Sequence, residues 1–213
     1  MMMKGIWGVE VRRRTIGQAD YVCPRCGLDR VGSEIEPQRW FKIANMSLFP
    51  VATMPTEITC DTCAHRSEIA VLEIPTTAQL TDYLEMAVRS SIAFVVRSGR
   101  ANAFDFNIDT SVVSLAMAVM AADGNDYDEA QLRDDVARIS DDDARNSLGL
   151  LTAELTSHGK QSFLHRMASI ALADGPISAR EQHSLVEIGV TLGMSAPHIN
   201  GILAVAALEF ETT

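Results

Sequence analysis

Two Cys-x-x-Cys pairs, Cys23-Pro24-Arg25-Cys26 and Cys60-Asp61-Thr62-Cys63, constrain this chain more than any other feature. They account for all four cysteines, with 33 residues between the pairs. Two residues between cysteines let a tight knuckle aim both sulfurs at one point. Two knuckles then supply the tetrahedral four-sulfur shell that Zn2+ takes in closed structural sites. Gly27, after the first pair, suits the positive-φ turn that carries backbone N–H groups toward the thiolates. Ala64 takes that place in the second knuckle, a less ideal choice.

Other uses of four cysteines compete with this reading. Two disulfides would need an oxidising compartment, and nothing in the sequence points to one. A thioredoxin-like redox pair needs a βαβ context, whereas Pro and polar turn residues surround these cysteines. An iron–sulfur cluster has the same ligand count. His65 is close enough to Cys63 to compete as a ligand, but four thiolates suffice. Structural Zn2+ is therefore the expected cofactor, held by Cys23, Cys26, Cys60 and Cys63.

The flanking sequence reads as β. Ile6–Val11 is a short strand, and Thr15–Val22 leads into the first knuckle. Trp40-Phe41 followed by Leu48-Phe49-Pro50-Val51 suggests an apolar hairpin packed against the knuckles. Ile58–Cys60 and Ser67–Ile74 are the last expected strands, with alternation at Ile69 and Val71. Residues 1–75 thus read as a small zinc ribbon, in which the metal replaces a core that so few residues cannot build. The knuckle Cys-Pro-Arg-Cys-Gly with the apolar segments after it resembles zinc-ribbon segments at the start of many bacterial multi-domain proteins. Such ribbons bind nucleic acid or proteins, and Arg12-Arg13-Arg14 forms a local basic cluster.

Charge separates this module from the rest. The formal net charge is −10, yet residues 1–75 carry nine acidic and nine basic side chains, so the excess lies entirely after residue 75. An acidic surface repels phosphates, which argues against nucleic-acid binding by the C-terminal part. The first fourteen residues lack the apolar run of a signal peptide, and no run approaches the ~20 apolar residues of a membrane span. The expectation is a cytoplasmic protein that would meet a membrane only through partners.

Pro75-Thr76-Thr77 marks a boundary, a breaker followed by a helix cap. From there to residue 213, helical periodicity predicts about seven helices. The first runs from Leu80 toward Gly99, followed by a connector, residues 100–107. Asp109 caps the second, whose face is Val112, Val113, Ala116, Met117, Val119 and Met120. A short helix carries Leu132 and Val136. Another starts at Ser140 and continues through Leu155 to His158-Gly159. The remaining helices span Lys160–Leu172, about 179–192 and about 197–209, the last with Pro in its first turn.

Within this module one arrangement occurs twice. Ala173-Asp174-Gly175 and Ala122-Asp123-Gly124 each end an apolar helix, and the two aspartates are 51 residues apart. Ser178-Ala179-Arg180-Glu181 fits the capping box S-x-x-E; Asp128–Gln131 fits it one residue further on, with Gln last. The expectation is two helix-turn-helix units packed as a pseudo-twofold pair.

Ala-Asp-Gly with a downstream Ser-x-x-Glu, complete once and approximate once, followed by Leu192-Gly193-Met194, resembles the TerB-like tellurite-resistance family. The same helical domain occurs in some membrane-anchored DnaJ-type co-chaperones. The resemblance covers about 110–205. It implies an all-helical bundle, acidic residues binding a divalent cation (Ca2+ or Mg2+), and a non-enzymatic role in stress response through protein partners. Carried over, the acidic candidates are Asp123, Asp174 and Glu181; Gln131 departs from the pattern in the first copy. As local structure the same residues read as helix caps and turns. A hard cation needs several oxygens at once, which spacing alone does not supply.

No catalytic constellation accompanies these features: there is no phosphate-binding Gly loop, nucleophile elbow or H-E-x-x-H helix. His158, His165, His183 and His198 lack ligand spacing. The reading is a non-enzymatic adaptor. Its rivals are a divalent-metal hydrolase built on the acidic corners, and nucleic-acid binding by a ribbon face of Arg12, Arg13, Arg14, Arg25 and Arg39.

Overall fold

The first strand is far longer than the local β-formers suggest. β1 runs Trp7–Cys23 and pairs antiparallel with β2, Leu28–Ile43, so that the first knuckle is the turn of one long hairpin. The computed structural model describes residues 7–43, 46–100 and 107–212. Ile6 and most of the expected connector, residues 101–106, lie outside the described residues. The chain divides into two compact units, Met1–Leu80 and Thr81–Thr213.

In the first unit, β3 (Met46–Thr53) and β4 (Glu57–Cys60) both pair with β2, at its two ends, and β5 (Arg66–Glu68) pairs with β4. Cys60 stands opposite Gly32 of β2, which places the second knuckle beside the first. Around them a small core forms from Tyr21, Cys23, Ile58 and Cys60, with Ala19, Val71 and Leu72 against it.

Two expectations fail here. Trp40 and Phe49 do not pack on the knuckles. Trp40 pairs with Glu10, while the knuckle end of the hairpin pairs Cys23 with Leu28; at ~3.3 Å per residue that is about 40 Å along the ribbon. The long hairpin register, invisible in local pattern, separates them. Nor does the strand expected over Ser67–Ile74 run its length: β5 holds only Ser67 and Glu68 of it, and the chain then turns into a 3-10 helix, Ile69–Glu73, which delivers Val71 and Leu72 to the core around the cysteines.

The second unit is helical: α1 (Thr77–Gly99, whose first turn lies in the first unit), α2 (Thr110–Ala122), α3 (Glu129–Arg138), α4 (Asp141–Leu151), α5 (Ser157–Leu172), α6 (Ala179–Thr191) and α7 (Ala196–Glu211). That is the expected seven, among the described residues. Ile92 to Val96 of α1 are buried on every side, which makes the second half of α1 interior, while residues 77–86 stay exposed or half-buried. α5 packs against α2, α6 and α7, and Phe163, Leu164, Met167 and Ala168 fill the space between them.

The α4–α5 boundary differs from the sequence reading. α4 stops at Leu151, and Thr156 caps α5 by accepting from the Gly159 N–H at 3.1 Å. Gly159 therefore lies in a first helical turn, where a side-chain cap offsets its weak propensity.

Candidate metal centre

The two knuckles have the same backbone. Gly27 N–H donates to the Cys23 carbonyl at 2.8 Å, and Ala64 N–H to the Cys60 carbonyl at 2.9 Å. Gly27 has φ +67° and Ala64 φ +55°, the latter being the non-glycine with positive φ among the described residues. The second knuckle thus adopts the left-handed turn without the glycine that normally relieves it.

All four ligand atoms lie within 4.8 Å of one another. The sulfurs of Cys23 and Cys63 are 3.7 Å apart. A tetrahedron with Zn–S of ~2.3 Å has edges of ~3.8 Å, so the donor set fits zinc in size as well as chemistry. Cys23 and Cys60 are buried, and Cys26 and Cys63 are half-buried.

The knuckles favour the thiolate at the first cysteine of each pair. Burial pushes the Cys23 thiol up, but the backbone N–H groups of Cys26 and Arg25 outweigh it and bring it down to about 6. Cys60 is lowered in the same way: burial raises it, and the N–H groups of Cys63 and Thr62 overcome that. Cys26 is pushed up to about 12, first by hydrogen bonding with Cys63 and then by burial. The Tyr21 hydroxyl is buried with no hydrogen-bond partner among the described residues; burial first, and then the neighbouring Cys23, hold it well above the usual phenol range, so it stays protonated. His65 is outside the ligand cluster and contributes its carbonyl, which accepts from the Cys60 N–H at 2.9 Å.

The acidic corners are built as the capping pattern implies. Ser178 and Glu181 form a reciprocal capping box at the start of α6, and Asp128 and Gln131 form one at the start of α3. Glycines with positive φ follow both aspartates: Gly124 at +83° and Gly175 at +145°. The three carboxylates then part company. Asp123 accepts two hydrogen bonds from Arg166 Nη1, at 2.8 and 2.9 Å. Asp174 and Glu181 line one cavity of about 500 Å3, together with Gly99, Arg100 and Asp109. Glu181 is 6% exposed, and its Oε2 accepts from the Ser178 N–H at 2.8 Å. Among the described residues, the four cysteines are the group of three or more metal-type ligands within coordinating reach of one another.

The arginines of the ribbon do not share a face. Side chains alternate along a strand, so Arg12 and Arg14 point opposite to Arg13. Arg12 lies 5.0 Å over the Trp40 ring, Arg13 pairs with Glu57 at 3.3 Å, and Arg25 sits in the first knuckle, far along the hairpin from Arg39.

Sequence reasoning missed Tyr21, although its position two residues before Cys23 puts it on the same strand face. It also missed a polar network in the helical unit. Arg89 of α1 clamps Asp135 of α3 with two bonds of 2.9 Å, and Tyr127 donates to the same carboxylate at 2.8 Å. Only residues 46 and 8 positions apart in sequence reveal it, and no local pattern links them.

No helix among the described residues is long and apolar enough to cross a membrane. Comparison with protein-family models, with curated proteins and with solved structures gives no match to this chain.

Proposed function

We propose that the chain is a non-enzymatic, metal-dependent adaptor of the cytoplasm: a ribbon organised by structural Zn2+, joined to a TerB-like helical domain, that acts by binding protein partners. The observation that carries this reading is the gathering of four cysteine sulfurs within 4.8 Å on a small core that otherwise holds few apolar side chains. Zinc here supplies cross-linking rather than chemistry, because all four coordination positions are taken by thiolates. The likeness of the two Asp-Gly corners, each followed by a capping box, supports a duplicated helical domain, with α2 and α5 packed together.

The adaptor reading is favoured over a divalent-metal hydrolase because Asp123 is engaged by Arg166 and is not part of the cavity that Asp174 and Glu181 line. A tellurite-linked or wider stress role follows from the TerB resemblance alone. The test is metal analysis of the purified chain combined with capture of partners from the native cell. One equivalent of zinc, and partners lost on Cys23→Ser with Cys26→Ser, are the expected results. Less than half an equivalent of zinc, or an unchanged partner set in the zinc-free variant, would overturn it.

A further inference from the structure

The far end of the ribbon carries an apolar face that the metal centre does not use. Cross-strand partners point to the same side of a sheet, so the register sorts the residues. Trp7, Ile43 and Met46 form one row across the three strands, and Val9, Phe41 and Phe49 form the next. Phe41 and Phe49 stack with ring centroids 5.5 Å apart. Val11 begins the next row, where its partner on β2 is Arg39, so the apolar face ends there. Exposure along β1 runs from 39% at Val11 to 74% at Trp7, and Phe49 is 51% exposed.

The opposite side of these strands is polar and self-contained. Ser47 donates to the Glu10 carboxylate at 3.1 Å, Arg12 covers the Trp40 ring, and Lys42 stands beside them in register with Ser47. An antiparallel sheet with one apolar face is half of a two-layer structure. The six side chains of the two rows leave on the order of 600 Å2 of apolar surface in water, at the upper limit of what monomers expose. It approaches the ~800 Å2 per partner of a standard interface.

We propose that this face packs against the same face of a second copy of the chain, giving a twofold sheet-on-sheet dimer. Three observations select that occupant. The two rows carry no polar side chain, so the face complements itself without a matched charge or hydrogen bond on the partner. Its area approaches that of a standard interface. Its one-sidedness disfavours a lipid surface: insertion of this end would carry Glu10, Arg12 and Lys42 in as well, in a chain of formal net charge −10. The proposal rests on the sheet register and stands apart from the adaptor reading; a zinc-loaded chain that is a monomer sinks this proposal and leaves that reading intact.

Sedimentation equilibrium of the zinc-loaded full chain, across the micromolar range, tests it. The expected result is a dimer whose dissociation constant rises at least ~30-fold in Phe49→Glu and in Val9→Glu, since both place a charge at the centre of the buried face. Both variants should keep one equivalent of zinc, and Lys42→Glu on the opposite side should leave the dimer unchanged. A monomer throughout the range overturns the proposal. So does equal weakening by Lys42→Glu, or a monomer that floats with phosphatidylcholine–phosphatidylserine vesicles.

Discussion

Tyr21 lies across Gly32 so closely that a Cβ at Gly32 would fall 2.6 Å from Tyr21 Cε1 and 2.7 Å from Ile58 Cγ1. Gly32 stands opposite both Ala19 on β1 and Cys60 on β4. The ring and the isoleucine therefore close over the backbone that joins the two knuckles. The glycine is there because a side chain would occupy the space of the core around the cysteines.

Gly32→Ala is expected to destabilise the ribbon by about 1–3 kcal/mol, the usual cost of forcing atoms into a filled core. Because folding and metal binding are coupled, zinc affinity should fall in parallel. Thermal unfolding together with competition against a chromophoric chelator measures both. An unchanged midpoint and affinity would mean that Tyr21 does not pack as described.

Tyr21→Phe keeps the ring and removes a buried hydroxyl that has no hydrogen-bond partner among the described residues. Deleting an unsatisfied buried polar group relieves its desolvation cost, so the substitution should stabilise the ribbon by about 1 kcal/mol and leave zinc affinity unchanged. Thermal unfolding and chelator competition read the two effects. A loss of zinc affinity of about tenfold or more would show instead that the hydroxyl serves a cysteine ligand.

Zinc affinity should rise with pH. Cys26, with its thiol pushed up to about 12, is protonated at neutral pH in the metal-free chain and must release that proton to bind. One released proton corresponds to at least about a tenfold gain per pH unit. Cys23, brought down to about 6, is already a thiolate at pH 7 and binds a proton only below about pH 6, where the dependence should steepen. Chelator competition at several pH values gives the slope, and a flat profile between neutral and mildly alkaline pH would contradict the thiol assignment.

In the helical unit, Asp135 is 7% exposed and takes bonds from both Arg89 and Tyr127. Asp135→Ala leaves a clamped guanidinium and a buried hydroxyl without their acceptor. Since Arg89 is about a third exposed, water recovers part of the loss, and a cost of about 2–3 kcal/mol is expected. Tyr127→Phe, removing one neutral donor, should cost about 1 kcal/mol. Urea denaturation followed by far-UV circular dichroism reads the helical transition. Equal costs for the two variants would show that the carboxylate is not the hub.

What local chemistry dictates was legible in the chain. The Cys-x-x-Cys spacing gave the four ligands, because two intervening residues leave a knuckle little choice of geometry. Asp109, Ser140 and Ser178 gave helix starts, because a capping side chain satisfies N–H groups only two or three residues away. The seven helices followed from periodicity. Three things were decided only in the tertiary structure. The length of the β1–β2 hairpin, and with it the distance of Trp40 and Phe49 from the four cysteines, is set by pairing between residues up to 36 positions apart, Trp7 with Ile43. The parting of Asp123 from Asp174 depends on Arg166, which belongs to another helix. The apolar end face arises because register, not composition, decides which side of a sheet each residue joins. Sequence fixes what a residue prefers within a few positions; which distant partner claims it is settled by packing.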